Sequence, residues 1–384
     1  CMFTGFEGDA KRVAALAKES APQAPVIVGG ADATFQAVTH IHDPNIDLII
    51  RGEGEVVLAQ VLDHYAKTGT LPVDLPGTVI GETLNPLADL IDDLDSLPFP
   101  ARDLIPMGTY LEDQTQLMPY AKRTPIGFLI SSRGCPYDCV FCSTKKVWRK
   151  WRARSAQTVV DEIDRLVNDY GVREIAFQDD SFLANPKRVE AICALIQQRN
   201  IDITWTVPPG LTVWTATPEV LRAMRDSGFY RACFPIETGD PDLLPYLRKR
   251  IDLDRVRETI ATCRKLGLWT YGNFIIGFPE QTAESIEKTA QYMETCGLDM
   301  VSLYFAQPYA GSDLYEDFQR LGLLDIAHAQ ASTVFHTRYR TTRFTVEELH
   351  ALRNDMYKRF MKRRLARLAT PGGVMDMLRK MSTP

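Results

Sequence analysis

The feature that most constrains the fold is a strand–helix alternation that runs six times between residues 124 and 325. Short apolar runs of strand length alternate with longer segments whose apolar residues recur at helical spacing. The predicted strands lie near residues 126–131, 173–178, 202–207, 230–236, 270–276 and 300–306. Strands joined through helices pair in parallel, and their carboxyl ends meet at one edge, where such folds place their chemistry. We therefore predict an α/β fold with a (β/α)6 partial TIM barrel over residues 124–325.

Local signals support helices between these strands. Asn185-Pro186, Thr217-Pro218 and Asp240-Pro241 each place a capping residue before a proline, which suits the first helical position. After Ser155, apolar residues repeat with the period of one buried helix face. Beyond the barrel, residues 326–384 are predicted to be a C-terminal helical segment, because Thr345-Val346-Glu347-Glu348 resembles a capping box that opens a long helix.

The long C-terminal helix carries many basic residues. We expect them to form a solvated outer face, with a nucleic-acid patch as the less favoured alternative, since the chain has a net charge of −5. The residues concerned are Lys358, Arg359, Lys362, Arg363, Arg364 and Arg367.

Residues 1–70 are predicted to be the C-terminal part of a doubly wound parallel sheet. Two strands, 25–28 and 46–50, are each followed by a glycine turn and a helix. Such a sheet needs more strands than this segment supplies, so we expect its N-terminal strands to be missing from a sequence that begins at Cys1. Residues 71–123 are rich in proline and acidic residues. They are predicted to be an ordered linker, with a solvated connector as the alternative.

Three of the eight cysteines, Cys135, Cys139 and Cys142, follow directly after the first barrel strand. Three thiolates on one short loop can hold three corners of a cubane iron–sulfur cluster and leave the fourth iron open to a ligand. The alternatives are a chance group of cysteines and an incomplete zinc site. The single cysteines of predicted helices and strands are expected to be small buried side chains: Cys193, Cys233 and Cys263.

This cysteine loop, with an aromatic residue before the third cysteine, resembles that of radical SAM enzymes. The resemblance continues at the ends of later strands, in 178–180, 236–239, 272–280 and 307–312. It implies that the three cysteines hold a [4Fe–4S] cluster and that a second set of residues contacts S-adenosylmethionine. That set comprises Phe141, Gln178, Asp179, Asp180, Glu237, Thr238, Gly239, Gly277, Phe278 and Pro308.

The N-terminal segment is similar to the cobalamin-binding domain that precedes the barrel in one subgroup of these enzymes. The resemblance implies that its two glycine turns lie against cobalamin, through Gly29, Gly30, Gly52, Glu53, Gly54 and Glu55. One departure is that Ala31-Asp32 stands where the subgroup often has a histidine. The alternative is a flavodoxin-like domain that binds no cobalamin.

The resemblance implies that the cluster drives reductive cleavage of S-adenosylmethionine and that cobalamin supplies a methyl group to an unactivated carbon or phosphorus. A non-methylating cyclisation or rearrangement is the runner-up, and a corrinoid-binding regulatory protein is a third reading. We expect a small-molecule substrate, and the basic segment 145–154 is predicted to bind an anionic group of it. The structural alternative is a solvated loop whose arginines pair with acidic residues, and nucleic-acid binding with stacking tryptophans is a third interpretation. A reducing flavodoxin or ferredoxin is the expected partner. The sequence predicts a cytoplasmic protein with no membrane span and no nucleic-acid ligand.

Overall fold

A computed structural model describes residues 1–2, 5–112, 114, 118, 120–324 and 333–382. The chain divides into two compact units. The N-terminal unit consists of residues 1–92, 139–149 and 305–346, and the barrel unit of residues 93–138, 150–304 and 347–384. Among the described residues, no helix combines the length and the apolar character needed to cross a membrane.

The described strands alternate with helices along the chain. The strands are β1 Ile27–Gly29, β2 Leu48–Ile50, β3 Thr78–Ile80, β4 Thr83–Leu84, β5 Ile126–Leu129, β6 Ser132–Arg133, β7 Arg152–Ala153, β8 Glu174–Phe177, β9 Thr204–Thr206, β10 Phe229–Glu237, β11 Trp269–Ile276 and β12 Met300–Phe305. The helices are α1 Glu7–Ser20, α2 Ala31–Phe35, α3 Ala37–His40, α4 Glu55–Thr68, α5 Met107–Leu111, α6 Thr144–Trp148, α7 Ala156–Tyr170, α8 Pro186–Gln198, α9 Pro218–Asp226, α10 Leu244–Leu247, α11 Leu253–Lys265, α12 Ala283–Thr295, α13 Asp313–Arg320, α14 Val346–Leu368 and α15 Pro371–Ser382. Short 3₁₀ turns occupy Leu94–Ser96, Arg102–Leu104, Phe182–Ala184 and Val213–Thr215.

The predicted partial barrel is confirmed. Its six strands form one parallel sheet in the order β12-β11-β10-β9-β8-β5, so each strand lies beside its neighbours in the chain. Registered pairs such as Ile126 with Glu174 and Arg231 with Trp269 align the strands so that their carboxyl ends lie at one edge. Each strand falls within or close to its predicted span, because a buried parallel strand is a short, nearly continuous apolar run.

Aromatic side chains fill the space between this sheet and its helices. Trp205 of β9 packs against Phe177, Phe182 and Phe229, with ring centroids 4.8–5.8 Å apart. All four side chains are fully buried. Rings of this size dominate the apolar area that a core removes from water, so this cluster anchors the middle of the sheet.

Two of the three predicted proline-type helix starts are confirmed. Asn185 and Thr217 cap α8 and α9, and each side chain accepts a hydrogen bond from the backbone N–H three residues on. Asp240-Pro241 does not open a helix. The Asp240 side chain instead accepts a hydrogen bond from the Asp242 N–H at 3.1 Å, which closes a local turn. The main helix of this repeat, α11, begins at Leu253 under a cap from Asp252.

The N-terminal unit has a four-stranded sheet in the order β1-β2-β3-β4. The predicted parallel pair is present, with Ile27 opposite Leu48. The antiparallel hairpin β3–β4 was not predicted, since it lies within the proposed linker. Its two-residue turn contains Gly81 at φ 53°, a conformation in which glycine carries no side-chain penalty.

The later part of the proposed linker is ordered within the barrel unit. Leu94 is buried, and the guanidinium groups of Arg154 and Arg165 lie over the Phe99 ring, 5.1 and 4.9 Å from its centroid. The Asp95 carboxylate also accepts the Ser155 N–H, just before α7. These contacts fix the segment against the start of α7.

The prediction of a basic outer face on the long C-terminal helix is partly wrong. Arg364 of α14 is buried, and its guanidinium lies 3.0 Å from the carboxylate of Asp299. Arg359 binds Glu287 and Glu294, each at 2.7 Å. These arginines face the barrel because they form ion pairs with carboxylates on neighbouring elements. The residue pattern of one helix contains no information about those neighbours, so the prediction missed them.

Candidate active site

The cysteine loop begins at the carboxyl edge of the barrel sheet, just after β5 and β6. The chain passes from the barrel unit into the N-terminal unit between Asp138 and Cys139. Within the barrel unit, the Tyr137 ring packs edge-on against Trp214 with centroids 5.0 Å apart, and Arg248 lies 3.5 Å from Asp138. Burial raises the pKa of the Tyr137 phenol, so it stays neutral and acts as a packing residue.

The accessibility of the cysteines separates the loop from the others. Cys135 and Cys139 are partly exposed and Cys142 is exposed, whereas Cys193, Cys233, Cys263 and Cys296 are buried. Burial raises the pKa of the Cys193 and Cys233 thiols to about 12 and that of Cys296 to about 11. Those thiols stay protonated at neutral pH, and thiolates are the ligating form. Cys1, which is exposed, is the remaining accessible thiol.

The three thiols of the loop are accessible and lie within eight residues of one another. A cubane cluster binds one thiolate at each of three irons, so a loop with three cysteines can supply its protein ligands. Within the described part of the chain, the structure contains no preformed group of three or more His, Cys, Asp or Glu side chains that could hold a metal ion.

Asp179, at the end of β8, holds the segment that leads into the cysteine loop. Its carboxylate is fully buried and accepts hydrogen bonds from the Ser131 N–H at 3.0 Å, the Ser131 hydroxyl at 2.7 Å and the Ser132 hydroxyl at 2.5 Å. Burial raises the pKa of this carboxyl. The neighbouring Asp180 accepts the Gly134 N–H at 3.2 Å, next to Cys135. The predicted 178–180 motif therefore fixes the start of the loop through two adjacent carboxylates.

We expect Asp179→Ala to lower the free energy of unfolding by about 2–4 kcal/mol, since three buried donors on Ser131 and Ser132 would lose their acceptor. Thermal or urea denaturation measures this effect. Asp179→Asn keeps one acceptor oxygen and should cost less. Asp164→Ala, which removes a half-exposed carboxylate on α7, is the matched control and should change stability little. Equal losses in Asp179→Ala and Asp164→Ala would contradict the assignment.

The motif at the end of β10 contains a strained residue. Glu237 adopts φ 69°, which is uncommon for a residue other than glycine, and its buried carboxylate lies 2.9 Å from the Lys249 ammonium. Strained backbone held by surrounding contacts is concentrated at functional sites. The adjacent Thr238 is buried, with its hydroxyl 3.0 Å from that of Thr289 on α12.

Gly239 serves packing within the barrel unit. A Cβ at this position would lie 2.3 Å from Tyr292 Cβ and 3.0 Å from Thr289 Cα, so only glycine lets the strand end approach α12. After β11, Gly277 has φ 85°, and the side-chain oxygen of Gln281 accepts its N–H at 2.9 Å. Phe278 is buried beside Tyr246, with ring centroids 6.1 Å apart.

In the N-terminal unit, the two predicted glycine turns follow β1 and β2 and have different surroundings. A Cβ on Gly30 would lie 2.5 Å from the carbonyl oxygen of Met2, so this glycine admits the backbone of the first residues. A Cβ on Gly52 would meet no atom within 4 Å. The Met2 backbone therefore lies against Gly30, whereas Gly52 faces open space, and the contact of both turns with cobalamin stays a prediction.

Thr34 of α2 connects these two turns. Its hydroxyl donates to the Gly30 carbonyl at 2.8 Å and accepts the Gly52 N–H at 3.0 Å. The other predicted residues of the second turn also have defined places. The Glu53 side chain accepts the Ile91 N–H at 2.8 Å, and Glu55 begins α4 directly after Gly54. Gly29, at the end of β1, lies beside the carbonyl of Ile50.

The turn after β12 packs within the same unit. A Cβ on Gly311 would lie 2.5 Å from the Phe35 ring, which places this turn directly against α2. The Leu314 N–H, at the start of α13, donates to the Val140 carbonyl at 2.9 Å. The N-terminal unit therefore brings together α2, the buried residue Pro308 with its turn, and the loop segment that carries Cys139, half-buried Phe141 and Cys142.

The basic segment after the cysteines is largely engaged by the protein itself. The Lys146 ammonium lies 2.5 Å from the Asp313 carboxylate, and the Arg149 guanidinium donates to the Ala88 carbonyl at 2.6 Å. Arg154 forms an ion pair with Glu162. These contacts support the structural alternative for these three cations.

Comparison with known proteins identifies the family. The profile of the Radical SAM superfamily matches residues 129–293. The chain is 32% identical over 360 residues to the uncharacterized methyltransferase PH0819 of Pyrococcus horikoshii, covering 92% of this chain and 76% of that protein. The chain belongs to the radical SAM superfamily. It is also 29% identical to the cytidylyl-2-hydroxyethylphosphonate methyltransferase of Streptomyces wedmorensis, over 84% of this chain and 66% of the relative.

A relative that is named for another reaction also matches. The anaerobic magnesium-protoporphyrin IX monomethyl ester cyclase of Rubrivivax gelatinosus is 27% identical over 80% of this chain, which spans 56% of the cyclase. Among solved structures, the fold resembles that of the radical S-adenosylmethionine methyltransferase TsrM from Kitasatospora setae. The TM-score is 0.66 at 16% identity, over 92% of this chain and 75% of that one.

Several residues that position the radical SAM site were not predicted from sequence. Ser131, Ser132, Gln281 and Thr289 hold the predicted motif residues through side-chain hydrogen bonds. Thr34 does the same for the two glycine turns of the N-terminal unit, and the Phe35 ring packs against the Gly311 turn. Each of these residues lies within six residues of a strand end or on the helix that faces it. A polar or aromatic residue near a strand end was therefore the sequence feature that could have indicated their role. Their partners are distant in sequence, and only the fold identifies them.

Proposed function

We propose that this chain cleaves S-adenosylmethionine reductively, with a [4Fe–4S] cluster held by Cys135, Cys139 and Cys142. The observation that carries the proposal is the loop of three accessible thiols directly after the first strand of a radical SAM barrel. When bound, the cluster would supply the electron for cleavage and an open iron for the amino acid part of S-adenosylmethionine. The other described thiols, Cys1 aside, are buried and protonated, which makes them unsuitable as ligands.

The chain's own residues orient and enclose the reactants. Asp179 and Asp180 hold the entry to the cysteine loop, so the first thiol starts from a fixed backbone. Gln178, Phe141, Glu237 and Gly277 are the residues we assign to S-adenosylmethionine, with the Glu237–Lys249 pair keeping a charged group fixed at the end of β10. A preorganised polar edge above an apolar core positions reactants and limits access of water.

We further propose that the chain uses cobalamin and transfers a methyl group to an unactivated carbon or phosphorus. Two relatives are named methyltransferases, one of them acting on a phosphonate, and TsrM was solved with cobalamin and a [4Fe–4S] cluster. Cobalamin would supply the methyl group. Its proposed location is the carboxyl edge of the β1–β2 pair, where the Gly52 turn faces open space and Thr34 fixes the two turns.

The proposed substrate is a small molecule, and the proposed partner is a reducing flavodoxin or ferredoxin in the cytoplasm. Reductive cleavage needs a low-potential electron source, and such carriers supply it. An anionic substrate group remains part of the proposal through the basic segment 145–154, because Lys and Arg side chains donate charge-assisted hydrogen bonds to carboxylate and phosphate oxygens.

Product analysis tests methyl transfer. With the true substrate, we expect 5′-deoxyadenosine and S-adenosylhomocysteine in roughly equal amounts, because each turnover would consume one S-adenosylmethionine for radical formation and one for methyl supply. Liquid chromatography with a deuterated methyl donor and cell-extract substrates measures both products and the labelled acceptor. The Cys139→Ala variant, assayed in parallel, controls for cleavage that does not depend on the cluster.

The same assay distinguishes the alternatives. Abundant 5′-deoxyadenosine without S-adenosylhomocysteine above background would favour a cyclisation or rearrangement, which the match to the anaerobic cyclase supports. Formation of neither product by cluster-loaded protein would contradict an enzymatic role and favour a corrinoid-binding regulator.

A further inference from the structure

A cavity lies in the barrel unit at the amino-terminal edge of the sheet, opposite the strand ends that carry the proposed active site. It has a volume of about 390 Å³. The end of α11, the residues between α12 and β12, and one face of α14 form its walls. Its lining consists of Arg264, Glu294, Thr295, Gly297, Leu298, Phe360, Arg363, Arg364, Ala366 and Arg367. A cavity of this size accommodates a small molecule.

The charges around this cavity do not balance. Asp299 and Asp376 are shared by four cations, with N–O distances of 2.6–3.5 Å. These cations are Arg264, Arg364, Arg367 and Lys380. Arg363 adds a fifth and has no ion-pair partner among the described residues. The carboxylate in the wall, Glu294, shares Arg359 with Glu287, each at 2.7 Å. The five cations outnumber Asp299 and Asp376, so this wall of the cavity is positively charged.

Arg367 shows the consequence of this surplus. Its Nε atom is buried and lacks a hydrogen-bond partner in the described structure. Burial, and then the positive charge of Arg364, lower the pKa of its guanidinium. A buried donor without an acceptor destabilises the fold unless a ligand or solvent supplies one. Leu298 and Phe360 provide an apolar wall beside these donors.

A purely structural role accounts for only part of the cluster. Arg364 donates to the Asp299 carbonyl at 3.1 Å, and Arg367 donates to the Leu298 carbonyl, so both fix the segment before β12. Two carboxylates would have sufficed to neutralise two arginines. Arg264 and Arg363 add charge on the two sides of the cavity, α11 and α14, without carbonyl contacts of this kind in the described structure.

We propose that this arginine-lined cavity binds a small, multiply charged oxyanion, of the diphosphate or tricarboxylate class, at a site separate from the proposed active site. The excess of cations over carboxylates in this wall suits a ligand that carries more than one negative charge. Planar guanidinium groups donate paired hydrogen bonds to phosphate and carboxylate oxygens. Leu298 and Phe360 offer contact to an apolar portion of the ligand. The proposal does not depend on the chemistry assigned to the cysteine loop.

Isothermal titration of the full-length, cluster-reconstituted protein with pyrophosphate and, separately, with citrate tests this proposal. We expect saturable binding of one oxyanion per chain, and the tighter of the two probes tells whether phosphate or carboxylate is preferred. Arg363→Glu should weaken that binding at least about tenfold, since it removes a charge-assisted donor and adds repulsion. Lys362→Glu changes the same charge on the next residue, which is exposed and outside the cavity lining, and should stay within about twofold of the unchanged protein.

Three results would overturn the proposal. The first is the absence of saturable binding of either probe to the unchanged protein. The second is equal weakening by Arg363→Glu and Lys362→Glu, which would indicate a general charge effect. The third is binding of a single-stranded oligonucleotide that both substitutions weaken alike, which would assign the face to a polyanion. Normal S-adenosylmethionine cleavage by Arg363→Glu would confirm that the variant is folded.

Discussion

Replacing Cys139 with alanine is expected to remove the iron–sulfur cluster and to abolish cleavage of S-adenosylmethionine. A cubane with two protein thiolates in place of three loses a corner ligand, and its retention by the loop fails. Anaerobically reconstituted protein should contain about four irons and four sulfides per chain, with broad visible absorption, and the variant should lack both. The rate of 5′-deoxyadenosine formation should fall to the uncatalysed background.

The control for this experiment is Cys1→Ala. Cys1 is exposed, like Cys142, but lies outside the loop, so its loss removes one accessible thiol without touching the proposed ligand set. Iron content and cleavage should stay at the level of the unchanged protein. Cleavage that survives the simultaneous replacement of Cys135, Cys139 and Cys142 would refute the assignment of the cluster.

The second large effect is expected at Lys380, a fully buried lysine on α15. Its ammonium lies 2.6 Å from Asp299 and 2.8 Å from Asp376, and it is 5.5 Å from the centre of the Trp269 ring. Lys380→Met would leave two buried carboxylates without this cation. Removing one partner from a buried ion pair costs about 3–5 kcal/mol, so the barrel unit should lose stability by that amount.

Urea unfolding followed by tryptophan fluorescence measures this loss, because Trp269 lies beside the substituted side chain. Lys362→Met is the matched control, since Lys362 is an exposed lysine on α14. It should change the free energy of unfolding by no more than about 0.5 kcal/mol. A loss below about 1 kcal/mol in Lys380→Met would show that Arg364 and Arg367 alone suffice to hold Asp299.

Much of the barrel could be predicted because its signals are local. A strand that is buried on both faces must be apolar over a short run, and the helices that cover it must repeat apolar residues every three to four positions. The helix starts at Asn185 and Thr217 could be predicted, because a capping side chain accepts a backbone N–H only three residues away. Asp240 also precedes a proline, but it forms a turn and not a helix start, because its side chain accepts the Asp242 N–H.

In the candidate site, too, local sequence patterns could be predicted, whereas contacts between distant residues could not. The cysteine spacing and the order of motifs at strand ends are properties of the sequence, and they identified the superfamily. The roles of individual residues were decided elsewhere. Gly30 is small because Met2 crosses it, and Gly239 is small because α12 packs on it. Asp179 holds two serines that lie 47 and 48 residues earlier in the chain.

The strand–helix order, two of the three proline-type helix starts and the composition of the cysteine loop follow from the sequence alone, because each depends on neighbours within a few residues. Which polar groups are buried together depends on the packing of distant segments. Arg364 and Lys380 meet Asp299 across 65 and 81 residues, and no periodicity within α14 or α15 records that carboxylate. These charged side chains must form ion pairs because they are buried, and a buried charge without a partner strongly destabilises the fold.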